Sequence, residues 1–196
     1  MKQRVFVTGA TGGMGFASLK EMLKDTDKQD IVILARDSEK NRNILKPYTE
    51  TPGLEIVWGD LNNYDDVLKC VKGCDLILHI AAFVSPAADY YPKQAMKVNY
   101  GSTRNIISAI YELGQQERTR LVYIGTVAET GDRMPPVHWG RVGDPIKPSM
   151  FDYYAVSKVA AERLVIESGL KYWVSLRQTG IILSLIHISE PTRLRR

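Results

Sequence analysis

A short apolar run, Val5-Phe6-Val7-Thr8, breaks directly into Gly9-Ala10-Thr11-Gly12-Gly13-Met14-Gly15, and no other stretch constrains this chain as much. The three glycines at positions 9, 12 and 15 each have a physical use. Gly9 allows a sharp turn off a strand, Gly12 removes a side chain where a pyrophosphate would approach the backbone, and Gly15 allows a helix to pack against a sheet. The helix expected from about Gly13 would aim its unpaired N–H groups and positive dipole end at the phosphates, with Thr11, Gly13 and Met14 lining the same turn. The run Phe16, Leu19, Met22, Leu23 that follows has helical periodicity, which is the context this glycine spacing requires.

The rest of the chain continues the pattern. Ile31-Val32-Ile33-Leu34-Ala35 is apolar throughout, as a strand covered on both faces should be. It ends at Arg36, the position that meets the adenosine ribose in a nucleotide fold; an arginine there accommodates a 2′-phosphate, or else is a solvated residue ahead of a helix capped by Ser38. Leu54 to Trp58 reads as a third strand, closing on Gly59-Asp60-Leu61 with Asp60 at the carboxyl end of the sheet. Asn62 or Asn63 caps a helix from Tyr64 to Lys72 that stops at Gly73. Asp75 to Ala82 is a buried strand whose last residues, Ala81 and Ala82, are small enough for a cofactor to lie against the backbone. His79 on it reads as a packed or hydrogen-bonded core histidine. A helix from about Gln94 to Leu113 carries Val98, Ile106, Ile107 and Ile110 as its apolar stripe, with the amide of Asn99 among them in need of partners. A fifth strand, Thr119 to Ile124, ends in Gly125-Thr126. The stretch 128–149, rich in Pro, Gly and charge, reads as a long functional loop. A helix capped by Asp152 runs to Gly169, and Tyr172 to Arg177 forms a sixth strand. Strand and helix alternate throughout, so the predicted fold is α/β: a doubly wound, Rossmann-like parallel sheet with right-handed crossovers.

Two side chains on the last helix suggest chemistry. Tyr154 and Lys158 are four apart and therefore share a face, the spacing needed for an ammonium to stabilise a phenolate. Bringing a phenol with a pKa near ~10 to neutral pH takes about 4 kcal/mol, of which Lys158 would supply part. Thr126, at the same sheet edge as the glycine turn, could hydrogen-bond a substrate oxygen while Tyr154 moves the proton.

These pieces, together with Val98-Asn99-Tyr100-Gly101-Ser102-Thr103, Tyr154-Ala155-Val156-Ser157-Lys158 and Ser175-Leu176-Arg177, resemble the extended short-chain dehydrogenase/reductase family, also called the NAD-dependent epimerase/dehydratase family. The resemblance runs from the N-terminus to about Ile182. It implies NAD or NADP as cofactor, Asp60 near the adenine, Tyr154 as general acid/base, Lys158 on the nicotinamide ribose, Thr126 on the reacting oxygen and Asn99 supporting the geometry. It also implies a small-molecule substrate, a carbonyl or alcohol compound or a nucleotide sugar, and is compatible with a homodimer. Dehydratases of the family place an Asp-Glu pair after the threonine, where this chain has Val127-Ala128, and many epimerases keep an acid where it has Arg36. An NADP-linked carbonyl or hydroxyl oxidoreductase is therefore expected, with sugar-nucleotide epimerisation next and a non-catalytic dinucleotide sensor as the contrasting class.

Bulk properties exclude other classes. A net charge of +4, partly from arginines at the C-terminal end, with no basic stripe interleaved with aromatics, gives no reason to expect a nucleic-acid partner. No apolar run approaches a membrane span and the N-terminus has no signal-peptide pattern, so a cytoplasmic protein is expected. Cys70 and Cys74 alone do not make a zinc site, no metal is expected, and a half-buried structural role suits both. From about Leu183 the sequence resembles translated sequencing adapter. The expected organisation is accordingly a dinucleotide-binding domain over 1–182, a non-native tail over 183–196, and a substrate lobe largely missing. An edge at the sixth strand would then expose apolar surface.

Overall fold

The computed structural model describes residues 2–131, 141 and 143–179. Six strands form one parallel sheet: β1 (Gln3–Thr8), β2 (Gln29–Ala35), β3 (Leu54–Trp58), β4 (Leu76–His79), β5 (Arg120–Thr126) and β6 (Tyr172–Gln178), in the order β3-β2-β1-β4-β5-β6. The order reverses between β1 and β4, so the carboxyl ends of these two central strands border the crevice that such a sheet leaves open. The register Thr8↔Leu34 and Thr8↔His79 brings the ends of β1, β2 and β4 to one level.

The apolar strands cover both faces by alternation. Val5, Val7, Ile31 and Ile33 are buried on one side beneath α1 (Gly13–Met22) and α2 (Glu39–Leu45). Phe6, Val32, Leu34, Ile77 and Leu121 are buried on the other, beneath α3 (Tyr64–Val71), with Cys70 and Cys74, and two longer helices described below. Burying each large apolar side chain contributes about 1.5–3 kcal/mol, and the two layers together are what the continuous apolar strands of the sequence imply. Both cysteines are fully buried rather than half-buried, and burial pushes the Cys70 thiol up to about 12 and the Cys74 thiol up to about 11.

Local signals settle most boundaries. Ser38 accepts from the Asn41 amide and Asn63, rather than Asn62, accepts from the Asp65 amide; Asp152 accepts from the Ala155 amide at 2.8 Å and opens the final helix. Gly73 and Gly169, with φ of 75° and 71°, follow the helices that they were expected to end.

The helix expected over Gln94 to Leu113 differs in detail. It follows a short turn α4 (Ala87–Tyr90), begins as α5 (Pro92–Ala95), widens to a π turn over Met96–Tyr100, and continues as α6 (Gly101–Glu112). Asn99 sits inside the wide turn. After β5, residues Val127–Thr130 form a short 3-10 turn, so the loop begins with structure of its own; most of the remainder, 132–140 and 142, lies outside the described residues. The final helix, α7, spans Tyr153–Ile166. Among the described residues β6, like β3, is an edge of the sheet, and Tyr172, Trp173, Val174 and Leu176 on it are each 40–44% exposed. The segment resembling adapter, 183–196, lies outside the described residues. Among the described residues no helix is long and apolar enough to cross a membrane, and no group of His, Cys, Asp and Glu could hold a metal.

Candidate active site

A cleft of about 630 Å³ lies at the carboxyl ends of the strands. Gly9, Thr11, Gly12, Gly13, Met14 and Gly15 form its floor. Gly9 has φ +73°, and a Cβ there would stand 2.9 Å from the backbone of Ala81; a Cβ on Gly15 would stand 2.1 Å from the Gly9 carbonyl oxygen. The turn therefore packs backbone on backbone between β1, β4 and α1. Gly12 N donates to Gly9 O at 2.9 Å and α1 starts at Gly13, so the first N–H groups of a ten-residue helix face the cleft.

Arg36, Asp60, Leu61, Ala81 and Ala82 line the same cleft, as the sequence suggested. Arg36 is exposed, and its carbonyl is held by the Asn41 amide group at 2.8 Å. Ser38 and Lys40 join it along that wall, two residues that periodicity gave no reason to select. Asp60 Oδ1 accepts from both the backbone and the side-chain amide of Asn62, each at 2.8 Å, which fixes its rotamer.

Thr126 and Tyr154 meet at the opposite end of the cleft. Burial, joined by the charges of Glu129 and Asp152, holds the Tyr154 phenol above its usual range, against the opposing effect of the neighbouring Thr126 hydroxyl. Lys158 behaves differently from its expected part. It is 2% exposed, does not line the cleft, donates from Nζ to the Ile124 carbonyl at 2.7 Å and lies 4.0 Å from the Tyr123 ring centroid. Burial lowers its pKa to about 8 against the opposing pull of Glu129 and Glu162. The i,i+4 spacing put both residues on one face, but the lysine stem runs inward rather than toward the phenol.

Asn99 is buried and its amide is fully used. Oδ1 accepts from Phe83 N at 2.7 Å, while Nδ2 donates to Phe83 O at 3.0 Å and to Ser157 Oγ at 2.8 Å; Ser157 in turn donates to the Tyr154 carbonyl. This amide ties the segment after β4 to the first turn of α7.

His79 completes a second chain. Burial and the charge of Lys158 lower its pKa to about 3, so the ring is neutral. Thr103 spends its hydroxyl proton on Asn99 O at 2.8 Å, so Nε2–H of His79 must donate to Thr103 Oγ1 at 3.0 Å. Nδ1 then accepts from Thr8 Oγ1 at 2.9 Å, and Thr8 accepts from Ala81 N. One directional line of hydrogen bonds runs from the strand end before Gly9 to the wide turn that carries Asn99. The histidine is thus the hydrogen-bonded core residue of the two readings offered by the sequence.

Three further charged residues were missed. Glu129 is fully buried and Glu162 is 2% exposed, and both carboxyls converge on Arg177. Arg177 Nε lies 3.2 Å from both oxygens of Glu162 and 3.3 Å from Glu129 Oε2. Glu129 Oε1 accepts from Thr126 N at 3.1 Å, closing a capping box whose T-x-x-E spacing was present in the sequence.

Comparison with known proteins agrees with this architecture. The model of the NAD dependent epimerase/dehydratase family matches residues 5–185. The chain is 30% identical over 193 residues to the 3 beta-hydroxysteroid dehydrogenase/Delta 5-->4-isomerase of Vaccinia virus (strain Western Reserve), covering 89% of this chain and 51% of the relative. It is 32% identical over 109 residues to the UDP-glucose 4-epimerase of Rickettsia akari, covering 54% of this chain and 32% of the relative. Among solved structures, the Bordetella bronchiseptica enzyme WbmH in complex with NAD+ superposes with a TM-score of 0.73 at 24% identity, over 90% of this chain and 56% of that one. The Thermus thermophilus UDP-glucose 4-epimerase complex with NAD gives 0.73 at 24% identity, over 89% and 54%. This chain spans about half the length or less of the curated relatives it matches. On the extent of the family match, the chain belongs to the NAD dependent epimerase/dehydratase family.

Proposed function

We propose that this chain forms the cofactor-binding and acid–base part of an NAD(P)-dependent oxidoreductase acting at a carbonyl or hydroxyl carbon, with NADP(H) preferred. The observation that carries the reading is the placement of the Thr126–Tyr154 hydroxyl pair in the same cleft as the glycine turn. The cleft fits a dinucleotide: Gly9 and Gly15 leave backbone where a Cβ would collide, and the start of α1 offers N–H groups for a pyrophosphate. Gly12 to Gly15 would hold the phosphates, Asp60 and Leu61 the adenine end, and Arg36 with Ser38 and Lys40 a 2′-phosphate. Ala81 and Ala82 would border the nicotinamide end. When bound, the nicotinamide supplies or accepts the hydride.

The chain's own residues orient the substrate oxygen and move its proton. Thr126 Oγ1 and Tyr154 Oη would share a hydrogen bond to that oxygen. The phenol, held protonated by burial, is set to donate to a carbonyl oxygen in the reducing direction. Lys158 acts from behind, as a buried positive charge under the strand end rather than as a cleft-lining group. The 30% identity to a hydroxysteroid dehydrogenase over 89% of this chain supports hydroxyl–carbonyl chemistry; the relatives named UDP-glucose 4-epimerase favour a nucleotide sugar as the second reading.

Tyr154→Phe tests the assignment. Turnover with a panel of carbonyl and nucleotide-sugar compounds should fall about 10²–10⁴-fold while NADPH affinity, read by fluorescence titration, stays unchanged. Retained turnover would remove Tyr154 from the proton-transfer role, and cofactor binding with no activity in the wild type would favour a sensor.

A further inference from the structure

Directly beneath Thr126 and Tyr154 lies a group of four ionisable side chains drawn from three elements. Glu129 comes from the 3-10 turn, Lys158 and Glu162 from successive turns of α7, and Arg177 from β6. Glu129 and Glu162 are the buried acids among the described residues, at 0% and 2% exposure. Gly125 makes their meeting possible. A Cβ there would lie 3.2 Å from Glu129 Oε1, 3.2 Å from Arg177 Cγ and 3.0 Å from Ser175 Oγ, so the missing side chain opens the space that the carboxyl and guanidinium fill.

The hydrogen bonds do not balance with both acids ionised. Arg177 offers one Nε–H to three carboxylate oxygens at nearly equal distance. Glu129 Oε1 is occupied by the Thr126 amide, but its buried Oε2 receives no hydrogen bond. A buried carboxylate oxygen without a donor is costly, whereas a carboxylic acid at that oxygen becomes a donor itself. The acceptor is at hand, because both carboxyls converge on one guanidinium nitrogen, Arg177 Nε, with Glu162 oxygens at 3.2 Å and Glu129 Oε2 at 3.3 Å.

We propose that Glu129 and Glu162 hold a single proton between them, carried on Glu129 Oε2 and donated to Glu162, and that Glu129 is a positioning residue whose protonation sets the charge on Lys158 behind the Thr126–Tyr154 pair. This deepens the oxidoreductase reading and rests on it for the roles of Tyr154 and Lys158. With Glu129 protonated, Lys158 loses one of the two carboxylates that favour its charge; with Glu129 ionised, the ammonium is retained. Directions agree: burial and Glu162 push Glu129 up to about 8, while Glu162, against the pull of burial, lies below its usual range beside the Arg177 guanidinium. The other charged or titratable groups facing the cluster are Tyr123 from β5, Tyr154 from α7 and, through Lys158, His79 from β4. The first two are phenols above their usual range and the third is neutral, so the groups of the cluster that titrate near pH 8 are the acid pair and Lys158.

Folding linkage gives a readout that needs no cofactor. A carboxyl raised from 4.5 to about 8 contributes stability that is complete below the lower value and is lost as pH rises through the upper one. Lys158, lowered from 10.5 to about 8, acts oppositely, with stability recovered as pH rises from about 8. The experiment combines infrared spectra of the full protein, read at the carbonyl stretch of a protonated carboxyl, with melting temperatures from pH 5 to pH 9. The wild type should show a protonated carboxyl at pH 6 that disappears as pH rises through about 8, and a melting temperature that falls over the same interval. Glu129→Gln, which keeps the acceptor for Thr126 N and offers a donor to Glu162, should abolish both signals. No protonated carboxyl at pH 6 in the wild type would overturn the proposal, and so would a band and pH slope that survive in Glu129→Gln. If that variant does not fold, the wild-type titration alone decides. The spectrum reports the proton pair whether or not the site turns over, so loss of the oxidoreductase reading would show separately, in Tyr154→Phe.

Discussion

The two ends of the cleft are built from different material. The glycine-turn end is made of backbone: its shape comes from side chains that are absent, its polarity from the N–H groups of α1, and most of it lies within one short stretch of chain. The Thr126–Tyr154 end is made of side chains, several of them buried and charged, drawn from β4, the wide turn before α6, β5, α7 and β6. A backbone-built site tolerates change in what surrounds it but not the addition of one carbon. A side-chain-built site tolerates small shifts of the chain but depends on every donor and acceptor being present.

Substitutions can break that contrast. Gly15→Ala should have the largest effect, because its Cβ would stand 2.1 Å from the Gly9 carbonyl and the turn must open to admit it. A loss of about 3 kcal/mol of stability and of measurable NADPH binding is expected by thermal melting and fluorescence titration, a cost typical of overpacking against backbone. If the variant binds cofactor normally, the backbone end is more plastic than its geometry implies. Asn99→Leu should cost about 2 kcal/mol, the penalty for leaving the Phe83 amide and carbonyl without partners, and chemical denaturation should show it while NADPH affinity changes little. A binding loss equal to that of Gly15→Ala would show that the two ends do not act separately. Arg36→Ala should be mildest, since the residue is exposed: NADPH affinity falls roughly tenfold, NADH affinity is unchanged, and the melting temperature does not move. Equal affinity for NADH and NADPH in the wild type would remove the argument for NADP(H).

The same contrast explains what could be read in the sequence. The fold and the glycine turn were legible because their signals are local: apolar runs of strand length, Ser38 and Asp152 as caps, Gly73 and Gly169 as stops. Tyr154 and Thr126 were legible because each lies at a recognisable place on its element. Lys158 was only half legible, since spacing fixes the face of a helix but not the direction of a four-carbon stem; burial among Tyr123, Ile124 and the two acids turns it inward. Glu129, Glu162 and Arg177 left weaker traces. Glu162 stands four residues after Lys158 beside the buried Ala161 and Val165, and Glu129 closes a capping box three residues after Thr126. Neither trace says that the two acids meet, because that depends on how β6 and α7 pack against the end of β5. The π turn around Asn99 gave no signal at all: its residues fit an ordinary helix equally well.

The line from Thr8 through His79 and Thr103 to the Asn99 carbonyl has a direction, set by the one proton that Thr103 can give. A directed line of this kind behaves as one heritable character. Replacing any one of the three side chains with an apolar residue strands a buried partner, whereas replacing all three with packed apolar groups can be close to neutral. Among relatives, positions 8, 79 and 103 are therefore expected to vary together or not at all, and their joint state would mark lineages of this fold independently of substrate.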